Sequence, residues 1–148
     1  MNASYIAMLL LLLAGAMTAI QGPSNARLSL GLGSVINGAF FSFIIGTIAL
    51  GIIAIFLHVR PESQAVRSIP WWGWIGGLYG CLFVTSIAWG IPKLGVATTM
   101  TLVVAGQLIL GVILDHYGAL GTPAHPISMA RLGGIVLIIG GALLVRRG

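Results

Sequence analysis

The sequence predicts an all-α integral membrane protein of five transmembrane helices, one half of a ten-helix inverted-repeat architecture that an antiparallel homodimer completes. Three observations carry that expectation. The chain is 58% hydrophobic and 6% charged, with a mean hydropathy of +1.09, whereas a soluble domain carries about 25% charge. Its apolar residues gather into five segments near the roughly 20 residues that a membrane helix needs. Its few Lys and Arg residues divide almost evenly between the two faces that five spans would create. At 148 residues the whole chain is expected to be a single membrane domain, 1–148, with no room for a soluble one beside it.

The first segment, residues 3–20, ends in small residues, as a cleavable signal does. No Lys or Arg precedes it and apolar character soon resumes, so it reads as a retained span. IQGPSNARL follows. Gly22 and Pro23 are expected to end the first helix near Ile20, with a short turn starting around Ser24 before Gly31 and Gly33 break the backbone again. Residues 33–57 form the second span, where Ser34, Gly38, Ser42 and Gly46 recur every fourth position as a small-xxx-small seam for close helix approach. The polar connection His58–Pro70 holds Arg60, Arg67 and the only glutamate, Glu62, and leads into Trp71, Trp72 and Trp74, an interfacial aromatic belt. The third span, 71–91, carries Gly73 with Gly77 and Gly76 with Gly80. In WGIPKLG, Pro92 is expected to end that helix, Lys93 to sit in water and Gly95 to reverse the chain. Residues 94–114 form the fourth span, with Gln107 near its middle. DHYGALGTPAHPISMAR is a loop. The fifth span, 131–145, is short and flanked by Arg131, Arg146 and Arg147 as interfacial anchors, with Gly133, Gly134, Gly140 and Gly141 expected to form a similar seam for close helix approach inside it.

Five spans put the termini on opposite sides. Arg60, Arg67 and Arg131 then share one side, and Arg27, Lys93, Arg146 and Arg147 the other. Orientation follows the Lys and Arg bias, so so small a difference gives little instruction and the chain is expected to insert both ways up. Inverted copies can pair about a two-fold axis in the membrane plane, the noncovalent counterpart of an inverted repeat. In the competing reading the near-balance is accidental, and Arg146 and Arg147 hold the C-terminus in the cytoplasm.

Several function classes are disfavoured. The net charge of +5 is spread singly, with no basic run suited to nucleic acid, and fits anchoring in a lipid bilayer. Cys81 is alone, so there is neither a disulfide framework nor metal-ligand spacing, and no metal or other cofactor is expected. No Ser-His-Asp set or paired carboxylates occur, and GLGSVING lacks the lysine of a phosphate loop, so an enzyme is not expected.

The polar residues within the apolar chain are the candidates for a binding site. Gln21 and Asn25 offer amide donors and acceptors, and Arg27 a fork suited to carboxylate or phosphate. Ser42 lies on the second-span seam. Lipid cannot hydrate Gln107, which must bond another helix or face a cavity. Asp115 and His116 end the fourth span, where an aspartate opposes the helix dipole, so Asp115 is expected to be held by His116, Arg131 or a partner chain. Because histidine titrates near neutral pH, this pair is the candidate for proton coupling. Each has a plainer reading: a surface loop for Gln21 to Arg27, interhelical glue for Gln107, and a solvated interfacial pair for Asp115 and His116.

The order Gln21 to Asn25, NARL, Ser42–Phe43 with Gly46 behind, WWGW at 71–74, PKLG at 92–95, VAGQL at 104–108 and DHYG at 115–118 resembles the YdcZ family of small bacterial inner-membrane proteins, nearly end to end. The resemblance implies a place in the drug/metabolite transporter superfamily, an all-helical fold, the bacterial inner membrane and export of small molecules. It also implies dual-topology, paired or fused forms, and hence an antiparallel dimer. Small multidrug resistance proteins of the same superfamily carry an acidic residue deep in their first span. Span one here has no carboxylate, which argues against their proton-coupled export of lipophilic cations. The expected function is a secondary transporter exporting a small polar or anionic metabolite by alternating access, with Gln21, Asn25, Arg27, Ser42 and Gln107 as substrate-binding candidates. A passive channel from an antiparallel dimer and a non-transporting scaffold subunit remain as alternatives.

Overall fold

A backbone inside lipid has no water to bond, and a helix satisfies its NH and C=O groups within itself. The computed structural model, which describes residues 2–147, is built accordingly. Its helices are α1 (Ala3–Gly31), α2 (Val35–Phe56), α3 (Ser63–Ser68), α4 (Trp71–Trp74), α5 (Gly76–Leu94), α6 (Val96–Tyr117) and α7 (Met129–Arg147), with one turn of 3-10 helix, Ala119–Gly121, after α6. Among the described residues, four stretches are long and apolar enough to cross a membrane: Ser4–Gly31, Val35–Phe56, Trp71–Leu94 and Val96–Tyr117. The apolar part of α7, Met129–Val145, is shorter. The side chain of Arg146, expected to be an anchor, lies outside the described residues.

The chain divides into two compact units, Met1–Lys93 and Leu94–Gly148. In the first, α1 does not stop near Ile20. It runs unbroken through Pro23 to Gly31. Proline removes one helical hydrogen bond, but opening the helix at membrane depth would free several backbone groups, so continuing it costs less. Ser24 Oγ donates to the Ile20 carbonyl at 2.9 Å, beside the proline. The true break comes at Gly33, whose φ of +69° lies in the left-handed region. There the Leu32 amide still donates to Leu28 O, Asn37 Nδ2 donates to Leu32 O at 3.3 Å, and Ser34 caps α2 by accepting from the Ile36 amide at 3.2 Å. Those polar residues satisfy two helix ends.

The two halves of α1 invert the pattern of a soluble helix. Residues 4–17, nearly all apolar, are exposed, and Leu11 and Leu12 each show 72% of their surface. In the polar half, Gly22, Asn25, Ala26 and Ser29 are buried. Their spacing of three and four residues makes one helical stripe. It meets α2 where the chain has least side chain. A Cβ built on Gly38 would meet the Ser29 side chain, with Ser29 Cα and Cβ both 2.9 Å away. The close-approach role expected of the second-span seam therefore holds at Gly38, while Gly46 on the same stripe has nothing within 4 Å. Further along α2, the Phe43 ring stands 3.3 Å from where a Cβ on Gly80 of α5 would be.

The third stretch is two helices. Ile75 separates α4 from α5. Pro92 does not end α5; it lies in the last turn, and the helix continues to Leu94. So close to the C-terminus few hydrogen bonds follow the proline, and it is carried within the helix.

In the second unit, α6 starts after Gly95, whose φ of +77° is a backbone conformation that favours glycine. It ends in the left-handed Gly118. The loop to α7 is stitched back onto the end of α6: the His125 amide donates to Asp115 O at 2.7 Å, and the Ile127 amide donates to His116 Nδ1 at 3.3 Å. Ser128 Oγ accepts from the Arg131 amide at 3.3 Å and caps the start of α7.

Candidate functional site

Two features of α6 and α7 make a groove between them. On α6, Gln107, Gly111 and Asp115 follow at intervals of four and share one face. On α7, Arg131, Gly134, Ile135 and Ile138 repeat at three and four. Together with Leu108 and Val112 these residues line a cavity of about 370 Å³. The glycines create the room. A Cβ at Gly111 or Gly134 would have nothing within 4 Å, so neither is there for close contact. This differs from the seam expected of Gly134, and Gly133, Gly140 and Gly141 likewise meet nothing within 4 Å.

Charge sits at one end of the groove. Arg131 Nη1 donates to Asp115 Oδ2 at 3.2 Å and to the His125 carbonyl at 3.5 Å. Of the three partners expected for Asp115, the structure places Arg131. The Asp115 and Arg131 side chains, 40% and 34% exposed, keep an open edge toward the groove's surroundings. Gln107 lies eight residues back along α6, about 12 Å at 1.5 Å per residue. It is exposed, and among the described residues its amide makes no hydrogen bond. Between the two polar ends the lining is aliphatic.

The other expected residues are spread out. Gln21 and Arg27 are exposed on α1, and Arg27 has no ion pair among the described residues. Asn25 is buried, 6% exposed, with its carbonyl accepting from Ser29 Oγ at 2.7 Å. Ser42 is half-buried on α2. None of these four lines the first unit's cavity of about 310 Å³, which is bounded by Ala26, Ser29, Ser34, Trp89 and Lys93 among others. At its edge Lys93 Nζ stands 3.9 Å above the Trp89 ring, a cation–π contact. His116 is exposed, accepts from Ile127 and packs its ring edge-on against Tyr117 with 4.8 Å between centroids. Accepting at Nδ1 requires that nitrogen to be unprotonated, so the contact belongs to the neutral ring.

The structure thus brings together Gln107, a substrate-binding candidate, and Asp115, a coupling candidate. Sequence reasoning took Arg131 for a lipid anchor or a partner of Asp115 and did not place it in a site. It also passed over Gly111. The signal for both was there in the four-residue steps back from Asp115 and in a lone arginine opening the next helix.

Over residues 6–144 the chain matches the family described as "Putative inner membrane exporter, YdcZ". It is 29% identical over 138 residues to the inner membrane protein YdcZ of Escherichia coli strain K12, covering 93% of each chain. No solved structure matches it.

Proposed function

The chain belongs to the YdcZ family of inner-membrane exporters, and on that premise we propose that it is a secondary transporter exporting a small polar or anionic metabolite as an antiparallel homodimer by alternating access. In this reading α7 is the fifth span. Its apolar part, Met129–Val145, measures about 25 Å, a little short of the roughly 30 Å of a bilayer's hydrocarbon core, within the range that flanking arginines at the headgroups accommodate. Five spans with three basic residues on one side and four on the other favour insertion in both orientations. Two inverted copies then form the ten-helix assembly, with sites where the repeats meet.

The observation that carries the proposal is the α6–α7 groove. A glutamine within α6 and an aspartate–arginine pair at the adjoining ends of α6 and α7 line one cavity in helices that are otherwise greasy, and polar groups among membrane helices mark substrate and ion pathways. Gln21, Asn25, Arg27 and Ser42 remain candidates for the rest of the path, and Asp115 and His116 for coupling.

Flux measurements in proteoliposomes test it. A transporter gives saturable uptake that accelerates when the far side is loaded with the same solute; flux that rises linearly without counterflow contradicts alternating access. Labelling of a cysteine added at the C-terminus is expected from both faces of the membrane. Added lysines on one side should collapse the population to one orientation, and a single orientation from the start contradicts the antiparallel dimer.

A further inference from the structure

We infer that the α6–α7 groove binds a small molecule with an apolar body and a single carboxylate, and that Arg131 is the residue that grips the carboxylate. As a substrate class, this rests on the exporter reading above.

The sign of the ligand follows from the donors left over. A guanidinium has five N–H donors. Arg131 uses Nη1 on Asp115 and on the His125 carbonyl; among the described residues Nη2 and Nε make no hydrogen bond. Those two nitrogens form one edge of the planar fork, the edge that matches a carboxylate with two parallel bonds. Gln107 lies at the other end of the groove, about 12 Å along α6, and leaves the carboxylate to Arg131. Against the free guanidinium edge stands the Asp115 Oδ1 acceptor. A donor-rich site selects a ligand rich in acceptors, and the bonds to a guanidinium are the stronger kind.

The body of the ligand follows from the walls. Leu108, Val112, Ile135 and Ile138 offer no hydrogen bonds, and at about 370 Å³ the cavity lies at the small end of ligand pockets, which run from about 300 to 1,000 Å³. One compact ring or short branched chain fits. Asp115 tunes the grip: by holding Nη1 it keeps the fork in place and repels a second carboxylate, so the ligand binds against a resident counter-charge. That weakens the grip, which favours release on the far side of a membrane.

The test is thermal melting of the purified full-length chain in neutral detergent with phenylacetate, using phenethylamine and phenethyl alcohol as matched controls of opposite and zero charge. Phenylacetate is expected to raise the melting temperature saturably and the controls to leave it unchanged. Arg131→Lys keeps the charge and loses the fork, and should weaken binding by about tenfold. Asp115→Asn should bind more tightly than the parent chain. Gly111→Leu fills open space, so it should melt no lower than the parent without ligand and show no phenylacetate shift. Stabilisation by the amine, or a phenylacetate shift that survives both Arg131→Gln and Gly111→Leu, overturns the proposal. Arg131 could instead hold a lipid phosphate. An Arg131-dependent shift with phosphatidylglycerol, absent with phosphatidylcholine and undiminished by phenylacetate, assigns the fork to a headgroup and also overturns it. Binding in detergent is read independently of flux, so a chain that binds phenylacetate without moving any solute contradicts the exporter reading and leaves the site standing.

Discussion

Where α1 meets α2, a glycine removes a side chain so that two backbones can touch. Where α6 runs beside α7, glycines remove side chains and nothing moves in. At Gly38 a methyl group would sit 2.9 Å from Ser29 Cα; at Gly111 and Gly134 it would meet nothing within 4 Å. In lipid there is no hydrophobic pressure to close a gap between helices, so association depends on packing that the surfaces themselves supply. A small residue then does one of two opposite things according to what faces it across the interface. In the first unit it cements a helix pair, and in the second it leaves a vessel.

Alanine at each glycine separates the two roles by sign. Gly38→Ala is expected to be the most damaging, destabilising by about 1–3 kcal/mol through overpacking against Ser29, as read by thermal or denaturant unfolding in detergent. A second change, Ser29→Gly, should recover only part of that, because the Ser29 backbone remains at 2.9 Å. Gly134→Ala and Gly111→Ala should move the other way, each stabilising by up to about 1 kcal/mol, since alanine is the better helix former and the new methyl has room. A loss of stability at either position would mean that the groove is closed and that the contrast between the units is wrong. The smallest effect belongs to the Asp115–Arg131 pair. With both side chains more than a third exposed, a double-mutant cycle is expected to give about 0.2–1 kcal/mol, so the pair adds little to holding the loop.

Much of the architecture was legible because greasiness and length are local properties. Hydropathy alone placed the apolar segments, and Gly95 marked the break between α5 and α6, where its φ of +77° favours a residue without a Cβ. Pro23 misled because rules for ending helices come from water, where an opened backbone is solvated; in lipid the same opening is costlier than a proline within the helix. The roles of the glycines were not readable, since spacing shows a stripe but not what stands opposite it. Gly38 and Gly134 look alike in sequence, and only the neighbouring helix tells them apart. Arg131 could be named as a partner for Asp115, but its place in the groove was not readable, for a related reason. It lies 16 residues from Asp115, and the loop that joins them is folded by His125 and Ile127 amides bonding back to the end of α6, contacts that no periodicity encodes. Gln107 was easier, because a glutamine within an apolar run needs a partner wherever the run is placed.

The central requirement is a groove that stays open and takes up ligand rather than lipid or a packed helix. A cysteine substituted for Gly111 in a Cys81→Ser background, with the protein in vesicles, tests this through its reaction with a water-soluble maleimide. Steady labelling that phenylacetate slows and phenethylamine does not is the expected result. A thiol there that stays unreactive while one placed in an exposed loop labels readily would contradict it.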